Sequence, residues 1–279
     1  MSAISGAELR ACALAMLYHG QSGHPGGVLS VIDALAEIWE RAEVWTAHPR
    51  CRIVLSKGHS VAALYALAGL SGMLASREGT SLRKMNSRLQ GHGDVSSLPW
   101  LETSTGSLGQ GFSFATGLAL GLRHKGDDTP IFVILGDGEL QEGQVWEAAM
   151  SAAHFGLDKL TAVVDFNKLQ SDATNDEIMR VEPLVDKWSA FGWQVIEVDG
   201  HSIPEISRAL DSSLTTTDAP SVVIAHTVKG KGVSFMENVP AWHGSVRITE
   251  RQIRAAWDEL GGGPDRQADL LAGRFWSMS

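Results

Sequence analysis

The sequence has few cysteines, no long hydrophobic run and no excess of basic residues, and each absence excludes a class of protein. Its 279 residues include two cysteines, Cys12 and Cys51, which fits a reducing cytoplasm better than a disulfide-stabilised secreted domain. No apolar run approaches the ~20 residues that span a bilayer. The acidic Glu8 stands where a signal peptide would carry basic and apolar residues. We therefore expect a cytoplasmic protein with no membrane partner and no signal peptide.

The chain is acidic, with a net charge of -9 and no basic stripe. A nucleic-acid partner is not expected, because such partners require clustered positive charge. A phosphorylated ligand is compatible with this balance, since phosphate sites are built from a few local groups. The 44% hydrophobic content of 279 residues suffices for one large core or two modest ones. We predict one domain over residues 1–279, with 247–279 as a peripheral C-terminal appendage.

Short apolar runs bounded by turn residues alternate with helical stretches along the chain. Runs that are apolar on both faces are typical of buried strands in a parallel sheet. The predicted strands are 52–55, 131–135, 161–164, 194–198 and 221–225, and the predicted helices are 8–19, 31–43 (with Ser30 as its N-cap), 61–71, 107–123, 144–155 and 203–214. This order predicts an α/β fold, with a doubly wound, mostly parallel sheet and helices on both faces. In such a fold, ligands bind at the carboxyl ends of the strands.

Polar turns follow two neighbouring predicted strands. The strand 131–135 runs into Gly136-Asp137-Gly138, and the strand 161–164 is soon followed by Asn167-Lys168-Leu169. A carboxylate, an amide oxygen and a backbone carbonyl are hard oxygen ligands, which leave further octahedral positions of Mg²⁺ for phosphate and water. Gly-Asp-Gly alone is also a common turn, but its combination with an asparagine at the next strand end favours a metal–diphosphate site.

Four histidines have a glycine as immediate neighbour: His24, His59, His92 and His243. Glycine in a loop lets a ligand approach, and histidine moves protons near neutral pH. A lone histidine is more often structural, and His19, His48, His124, His154, His201 and His226 are therefore interpreted as ordinary core or surface residues. Lys229 and Lys231 lie in a glycine-rich loop after the last predicted strand, which suits a phosphate, although a solvated basic loop is the alternative. Lys57 is left unassigned.

The segment 136–172, GDGELQEGQVWEAAMSAAHFGLDKLTAVVDFNKLQSD, resembles the thiamine-diphosphate motif of transketolases. Further blocks are similar to the family pattern and occur in its order: SGHPGG at 22–27, LSKGHS at 55–60, QGHGD at 90–94, STGSLGQGFS at 104–113, HTVKGKGVSF at 226–235 and WHG at 242–244. The resemblance covers about residues 20 to 245 and implies the diphosphate-binding domain of the thiamine-diphosphate fold.

The resemblance also implies roles for matching residues. Asp137, Asn167 and the Leu169 carbonyl match metal ligands for Mg²⁺, with Ca²⁺ or Mn²⁺ as substitutes. The positions that match cofactor-binding residues are Gly27, His59, Gly106, Ser107, Leu108, Gly138, Asn167, Lys229 and His243. The positions that match catalytic residues are His24, His59, His92, His243 and Glu142. Glu142 and Glu147 match carboxylates near a dimer axis; without the resemblance, both would be interpreted as surface charges.

The implied reaction is transfer of a two-carbon ketol unit from a ketose or ketose phosphate to an aldose or aldose phosphate. The chain resembles only the first domain of full-length transketolases, and the segment 245–279 resembles nothing in their second domain. We therefore expect a separately encoded subunit that carries the pyrimidine-binding domain, in an α₂β₂ heterotetramer. The alternatives are a related ketol transferase of a specialised pathway and a non-catalytic paralogue. A 2-oxoacid dehydrogenase alpha chain fits poorly, because it shares only the GDG…N pattern.

Overall fold

A five-stranded parallel sheet forms the centre of the molecule. The computed structural model describes residues 4–276. The strands are β1 (Arg52–Leu55), β2 (Ile131–Gly136), β3 (Leu160–Phe166), β4 (Gln194–Asp199) and β5 (Ser221–His226), in the spatial order β1-β2-β3-β5-β4. Every neighbouring pair is parallel. All five predicted strands are confirmed, and β2 pairs with β3 as the spacing of the two polar turns requires.

The strands alternate with helices along the chain. The helices are α1 (Gly6–Gly20), α2 (Pro25–Ala42), α3 (Val61–Leu70), α4 (Gln110–His124), α5 (Gly143–His154), α6 (Asn175–Ile178), α7 (Leu184–Ala190), α8 (Ile203–Thr215), α9 (Glu250–Glu259) and α10 (Pro264–Leu271). The sequence pattern did not indicate α6 or α7, because both are shorter than the window over which helical periodicity is recognised. None of the helices within residues 4–276 combines the length and apolarity needed to cross a membrane.

The strand β2 is buried on both faces, which explains its wholly apolar sequence, whereas the edge strand β4 is partly exposed and carries polar residues. In β2, Phe132 and Ile134 belong to a larger core with residues of α1, α2, α3, α8, α9 and α10. Ile131, Val133 and Leu135 belong to a second core with residues of α4, α5 and α7. Successive side chains of a strand point to opposite faces, so a strand covered on both sides favours apolar residues at nearly every position. The doubly wound α/β prediction is therefore confirmed.

The prediction that α2 begins after Ser30 is wrong. The helix begins at Pro25, whose fixed φ suits the first turn of a helix. Ser30 is buried inside the helix, and its hydroxyl donates to Asp165 at 2.6 Å rather than capping a helix end. An added Cβ at Gly26 would meet the Trp242 carbonyl at 2.9 Å. The first turn of α2 thus carries glycine because other loops approach it closely.

The segment after residue 247 is more closely integrated than the peripheral appendage that we expected. Ile253, Ala256 and Trp257 of α9 are buried in the larger core, and the spacing i, i+3, i+4 gives α9 one apolar face. The Trp257 indole N–H donates to the Ala11 carbonyl at 3.2 Å, and that of Trp276 donates to the Leu74 carbonyl at 2.7 Å. Residues 277–279 lie outside the described residues.

Candidate active site

The loops that follow β1, β2, β3 and β5 meet at the carboxyl edge of the sheet around a cavity of about 380 Å³. Its wall includes most of the residues singled out from the sequence: His24, Gly27, His59, His92, Gly106, Leu108, Asp137, Gly138, Glu142, Asn167, Leu169, Lys229 and His243. Ser107 is exposed and is not one of the lining residues. Lys57, Gly136, Glu139, Gln141, Gln170 and Ser171 complete the wall.

Asp137 and Asn167 lie on adjacent loops because Gly136 of β2 is in register with Asp165 of β3. The Asp137 carboxylate accepts from the Gly138 N–H at 2.8 Å and from the Lys168 N–H. The Asn167 side-chain N–H donates to Asp165 at 3.4 Å, and its amide oxygen accepts from the Leu169 N–H at 3.1 Å. The two loops are thus held side by side by direct hydrogen bonds.

Lys229 brings a positive charge to the same wall. Its ammonium group donates to the Leu169 carbonyl at 2.6 Å and lies 2.6 Å from Nδ1 of His243. Burial, together with the charge of Lys57, lowers the pKa of Lys229 to about 8. The Leu169 carbonyl is therefore oriented into the cavity and accepts a bond from a cation.

Two buried carboxylates lie at the cavity: Asp137 lines it and Asp165 does not. Burial and the neighbouring charge of Asp165 raise the pKa of Asp137 to about 6. Burial would also raise the pKa of Asp165, but the ammonium of Lys57 and the hydroxyls of Ser30 and Thr227 keep it below its ordinary value. Lys57, which could not be assigned a role from the sequence, thus offsets the negative charge of Asp165. The acid at Asp137 favours an additional cation.

The four glycine-flanked histidines form one cluster. The ring centre of His24 lies 5.1 Å from that of His59, 6.5 Å from that of His92 and 5.8 Å from that of His243. Burial, with the charge of Arg83, lowers the pKa of His24 to about 4, and burial with the charge of Lys229 lowers that of His243 to about 3. Burial also lowers the pKa values of His59 and His92. All four rings are therefore neutral at pH 7, and each can donate one hydrogen bond and accept one.

Glu139 is a site residue that the sequence analysis missed. It is buried, and its carboxylate accepts from the Ser56 hydroxyl at 2.5 Å, the Gly109 N–H at 2.8 Å and the Gly136 N–H at 3.0 Å. Burial raises its pKa in spite of these bonds. The side chain thus joins the loop after β1, the end of β2 and the start of α4. Its position in Gly-Glu-Leu beside the Asp137 turn carries no signal of this role.

Glu142 and Glu147 lie at an exposed surface. Glu142 is at the cavity edge, and Glu147 is one turn further along α5. Gln144 of the same helix bonds to Gln110 and Ser113 of α4. The structure therefore separates these two carboxylates from the buried acids and places them on the face that α4 and α5 present to solvent.

Comparisons with known proteins agree with this geometry. The family described as "Transketolase, thiamine diphosphate binding domain" matches residues 3–271. A 6-deoxy-6-sulfo-D-fructose transketolase subunit, SqwG, of Clostridium sp. (strain MSTE9) is 42% identical over 243 residues, which are 85% of this chain and 88% of that protein. One of the apulose-4-phosphate transketolase subunits of Phocaeicola vulgatus is 38% identical over 245 residues, 86% of this chain and 87% of that protein.

Longer transketolases match over only part of their length. Human transketolase is 37% identical over 249 residues, which are 86% of this chain but 39% of the human protein. The crystal structure of Pichia stipitis transketolase in complex with sedoheptulose-7-phosphate superposes with a TM-score of 0.87 at 27% identity, over 96% of this chain and 43% of that chain. On these matches, the chain belongs to the transketolase family and corresponds to the thiamine-diphosphate-binding subunit of its split, two-gene members.

Proposed function

We propose that this chain holds thiamine diphosphate through Mg²⁺ and works as the diphosphate-binding subunit of a transketolase. The enzyme would transfer a two-carbon ketol unit from a ketose, or ketose phosphate, to an aldose acceptor. The observation that carries the proposal is that the acid turn, the asparagine turn, the lysine loop and four neutral histidines line one cavity.

The donor set suits Mg²⁺. Asp137, Asn167 and the Leu169 carbonyl would offer three hard oxygens from two adjacent loops, and Ca²⁺ or Mn²⁺ would be accepted by the same set. No cluster of three or more histidine, cysteine or acidic side chains suitable for a metal occurs within residues 4–276. With one carboxylate, the proposed site would be completed by diphosphate oxygens and water. The raised pKa of Asp137 supports this assignment, because a divalent cation would offset the charge of the two buried acids.

The remaining residues of the wall would orient the cofactor. Gly138 would donate its backbone N–H to the diphosphate, and Lys229 and His59 would lie beside it. Gly27 is close to His59, since an added Cβ at Gly27 would meet its Nε2 at 3.3 Å. The segment 106–108 would lie under the aminopyrimidine ring, with the Gly106 carbonyl as acceptor for its amino group and Leu108 as the apolar support.

Proton movements would fall to the histidine cluster. When bound, thiamine diphosphate supplies the electron sink for cleavage of a C–C bond next to a carbonyl. His24, His92 and His243 would hydrogen-bond the hydroxyl groups of the ketose and of the acceptor and exchange protons with them. Their lowered pKa values support the hydrogen-bonding part of this role, because a neutral imidazole can accept a hydrogen bond from a sugar hydroxyl and a charged one cannot.

A specialised substrate is the second candidate. Two relatives that match over nearly their whole length are named for a sulfo-sugar and for apulose-4-phosphate. Both names describe a sugar with a terminal anionic group, so we propose an anionic ketose as donor without choosing between phosphate and sulfonate. A non-catalytic paralogue is disfavoured, since the acid, amide, lysine and histidine side chains all line one cavity.

We propose that the chain is a single diphosphate-binding domain that forms an α₂β₂ assembly in the cytoplasm with a pyrimidine-domain subunit. The names of the shorter relatives and the partial coverage of human transketolase support a partner. The face of α4 and α5 supports assembly, because Phe114, Leu120 and Met150 are 41%, 39% and 57% exposed there. Large exposed apolar side chains on adjacent helices are typical of an interface.

The metal site is tested by calorimetric titration of thiamine diphosphate and Mg²⁺ into the two-subunit enzyme. Asp137→Ala should abolish measurable binding, since it removes the charged ligand. Asn167→Ala should weaken binding and recover at high Mg²⁺, because water replaces a neutral ligand more easily. Asp128→Ala, an exposed acid before β2, is the matched control and should bind as the wild type does. Wild-type affinity in Asp137→Ala would exclude this metal assignment.

A further inference from the structure

His201, which the sequence pattern indicated to be an ordinary histidine, lies in a buried hydrogen-bonded chain. Its Nδ1 lies 2.7 Å from Oδ2 of Asp33, and the backbone N–H of Val228 donates to its Nε2 at 2.8 Å. Arg10 contributes two further bonds to the Asp33 carboxylate, at 3.0 and 2.6 Å. Only 13% of the His201 side chain and 10% of the Asp33 side chain are exposed. The chain of bonds therefore runs from α1 through α2 to the loop that follows β5.

These contacts determine the tautomer of His201. The Val228 N–H can only donate, so Nε2 must carry the lone pair. Nδ1 therefore carries the proton and donates it to Asp33, whose charge is kept in place by Arg10. Bonds from His201 and Arg10 hold the pKa of Asp33 below its usual value against the effect of burial. The ring thus accepts from one backbone N–H through Nε2 and donates to Asp33 through Nδ1.

Val228 directly precedes Lys229, the lysine of the cavity wall. On the same loop, the Gly230 N–H donates to the Gly26 carbonyl at 3.0 Å. On the other side, the Gly200 N–H donates to the His226 carbonyl at 2.8 Å, which continues the pairing of β4 with β5. His201 extends this pairing by a side chain at the point where the strands end. The backbone on both sides of Lys229 is therefore tied down.

We infer that His201 is a positioning residue that holds the Val228–Lys229 backbone and thereby places the Lys229 ammonium group for the cofactor diphosphate. The inference rests on the proposed function, because it assumes that Lys229 contacts the diphosphate. His201 does not line the cavity, so it acts on the cofactor only through the loop. Loss of its acceptor leaves one buried N–H unpaired and lets the loop move.

Two substitutions test the two ring nitrogens of His201 separately. His201→Gln places an oxygen where Nε2 was and can still accept from Val228, whereas His201→Asn places an amide where Nδ1 was and keeps only the Asp33 bond. The cofactor dissociation constant of the two-subunit enzyme should rise about tenfold in His201→Asn, as for one unpaired buried donor. His201→Gln should stay within about threefold of the wild type, which corresponds to less than one weak hydrogen bond. Hydrogen exchange at Val228–Gly230 should accelerate in His201→Asn alone.

Lys229→Ala separates failure of the inference from failure of the proposed function. If Lys229→Ala binds the cofactor as the wild type does, the diphosphate role of Lys229 is wrong. Two results would show that the positioning role of His201 is wrong, provided that Lys229→Ala weakens cofactor binding. In the first, His201→Asn binds the cofactor as the wild type does. In the second, His201→Asn and His201→Gln weaken cofactor binding equally. If His201→Asn does not assemble with the partner subunit, His201→Gln tests the inference. Wild-type cofactor affinity and wild-type hydrogen exchange in His201→Gln would support it. A loss of cofactor affinity equal to that of Lys229→Ala would overturn it.

Discussion

At the residue scale, the glycine-flanked histidines and the acid turn could be predicted because their signals are local. For example, the two glycines that flank Asp137 in the sequence line the same cavity as Asp137. Glu139, Lys57 and His201 could not be predicted in this way. Lys57 and Asp165 form a buried ion pair over a separation of 108 residues, and the partners of His201 lie on α2 and after β5. Only the register of the sheet brings such groups together.

Replacement of Glu139 should show most clearly that the site depends on contacts between residues that are far apart in the sequence. Its two oxygens accept from two backbone N–H groups and one hydroxyl. Glu139→Gln keeps the shape but offers one oxygen, so either orientation of the amide sets its NH₂ against the N–H of Gly109 or of Gly136. We expect the free energy of unfolding to fall by about 1–3 kcal/mol, the cost of a buried donor without an acceptor.

The same variant should weaken cofactor binding, because Gly109 ends the loop that carries Gly106 and Leu108. Denaturant unfolding of the chain and calorimetry of the two-subunit enzyme would measure the two effects. Glu40→Gln on α2 is the matched control and should change neither quantity. If Glu139→Gln retained wild-type stability and affinity, the carboxylate would not be a link between the three loops.

At the element scale, strands were predicted more accurately than helix ends. A strand buried on both faces produces an apolar run with clear limits, and β1 has the predicted bounds. The start of α2 was missed because the Pro-Gly-Gly sequence at 25–27 usually indicates a turn. Here both glycines are required by tertiary contacts. Trp242 and Lys229 lie close to Gly26, and His59 lies close to Gly27. The residues that leave no room for a side chain at these positions lie more than 30 residues away in the sequence.

The C-terminal helices give the element-scale prediction. Trp257 is fully buried, and its side chain packs in the core that α1 also forms. Trp257→Ala should lower the free energy of unfolding by about 3–5 kcal/mol, as for other large-to-small changes of a buried aromatic. Arg254→Ala, an exposed change on the same helix, should cost about 0.3–0.5 kcal/mol through its pair with Glu250. Denaturant unfolding measures both, and equal small losses would mean that the segment is an appendage after all.

At the scale of the whole molecule, the cavity and the α4–α5 face point to the same assembly. The cavity is lined from one side by the sheet edge, and Glu142 lies at the rim where α5 begins. Gly117 and Gly121 lie along α4 near Phe114 and Leu120, and within residues 4–276 an added Cβ at either glycine would meet no atom within 4 Å other than its chain neighbours and the nearby backbone of α4. Small residues between exposed apolar ones allow another backbone to approach closely. The face therefore supports the proposal that a second chain packs here.

The last prediction is that this chain turns over substrate only in the assembled enzyme, and that Gly117→Leu blocks assembly without harming the fold. Leucine at Gly117 has room in the isolated chain and should stabilise α4 by about 0.8–1 kcal/mol, the difference in helix propensity between glycine and a good helix former. In the assembly, the same side chain would occupy the space of the approaching backbone. Arg251→Leu, which adds an exposed leucine to α9, is the matched control.

Light scattering should show the wild type and Arg251→Leu assembling with the pyrimidine-domain subunit, whereas Gly117→Leu should remain apart from it. Turnover of a ketose donor with thiamine diphosphate and Mg²⁺ should follow assembly, and the lone wild-type chain should have none. Assembly of Gly117→Leu at the wild-type concentration would exclude the α4–α5 face as the interface. Robust turnover by the lone chain at catalytic concentration would exclude the need for a partner altogether, because the residues that act on the substrate would then all belong to this chain.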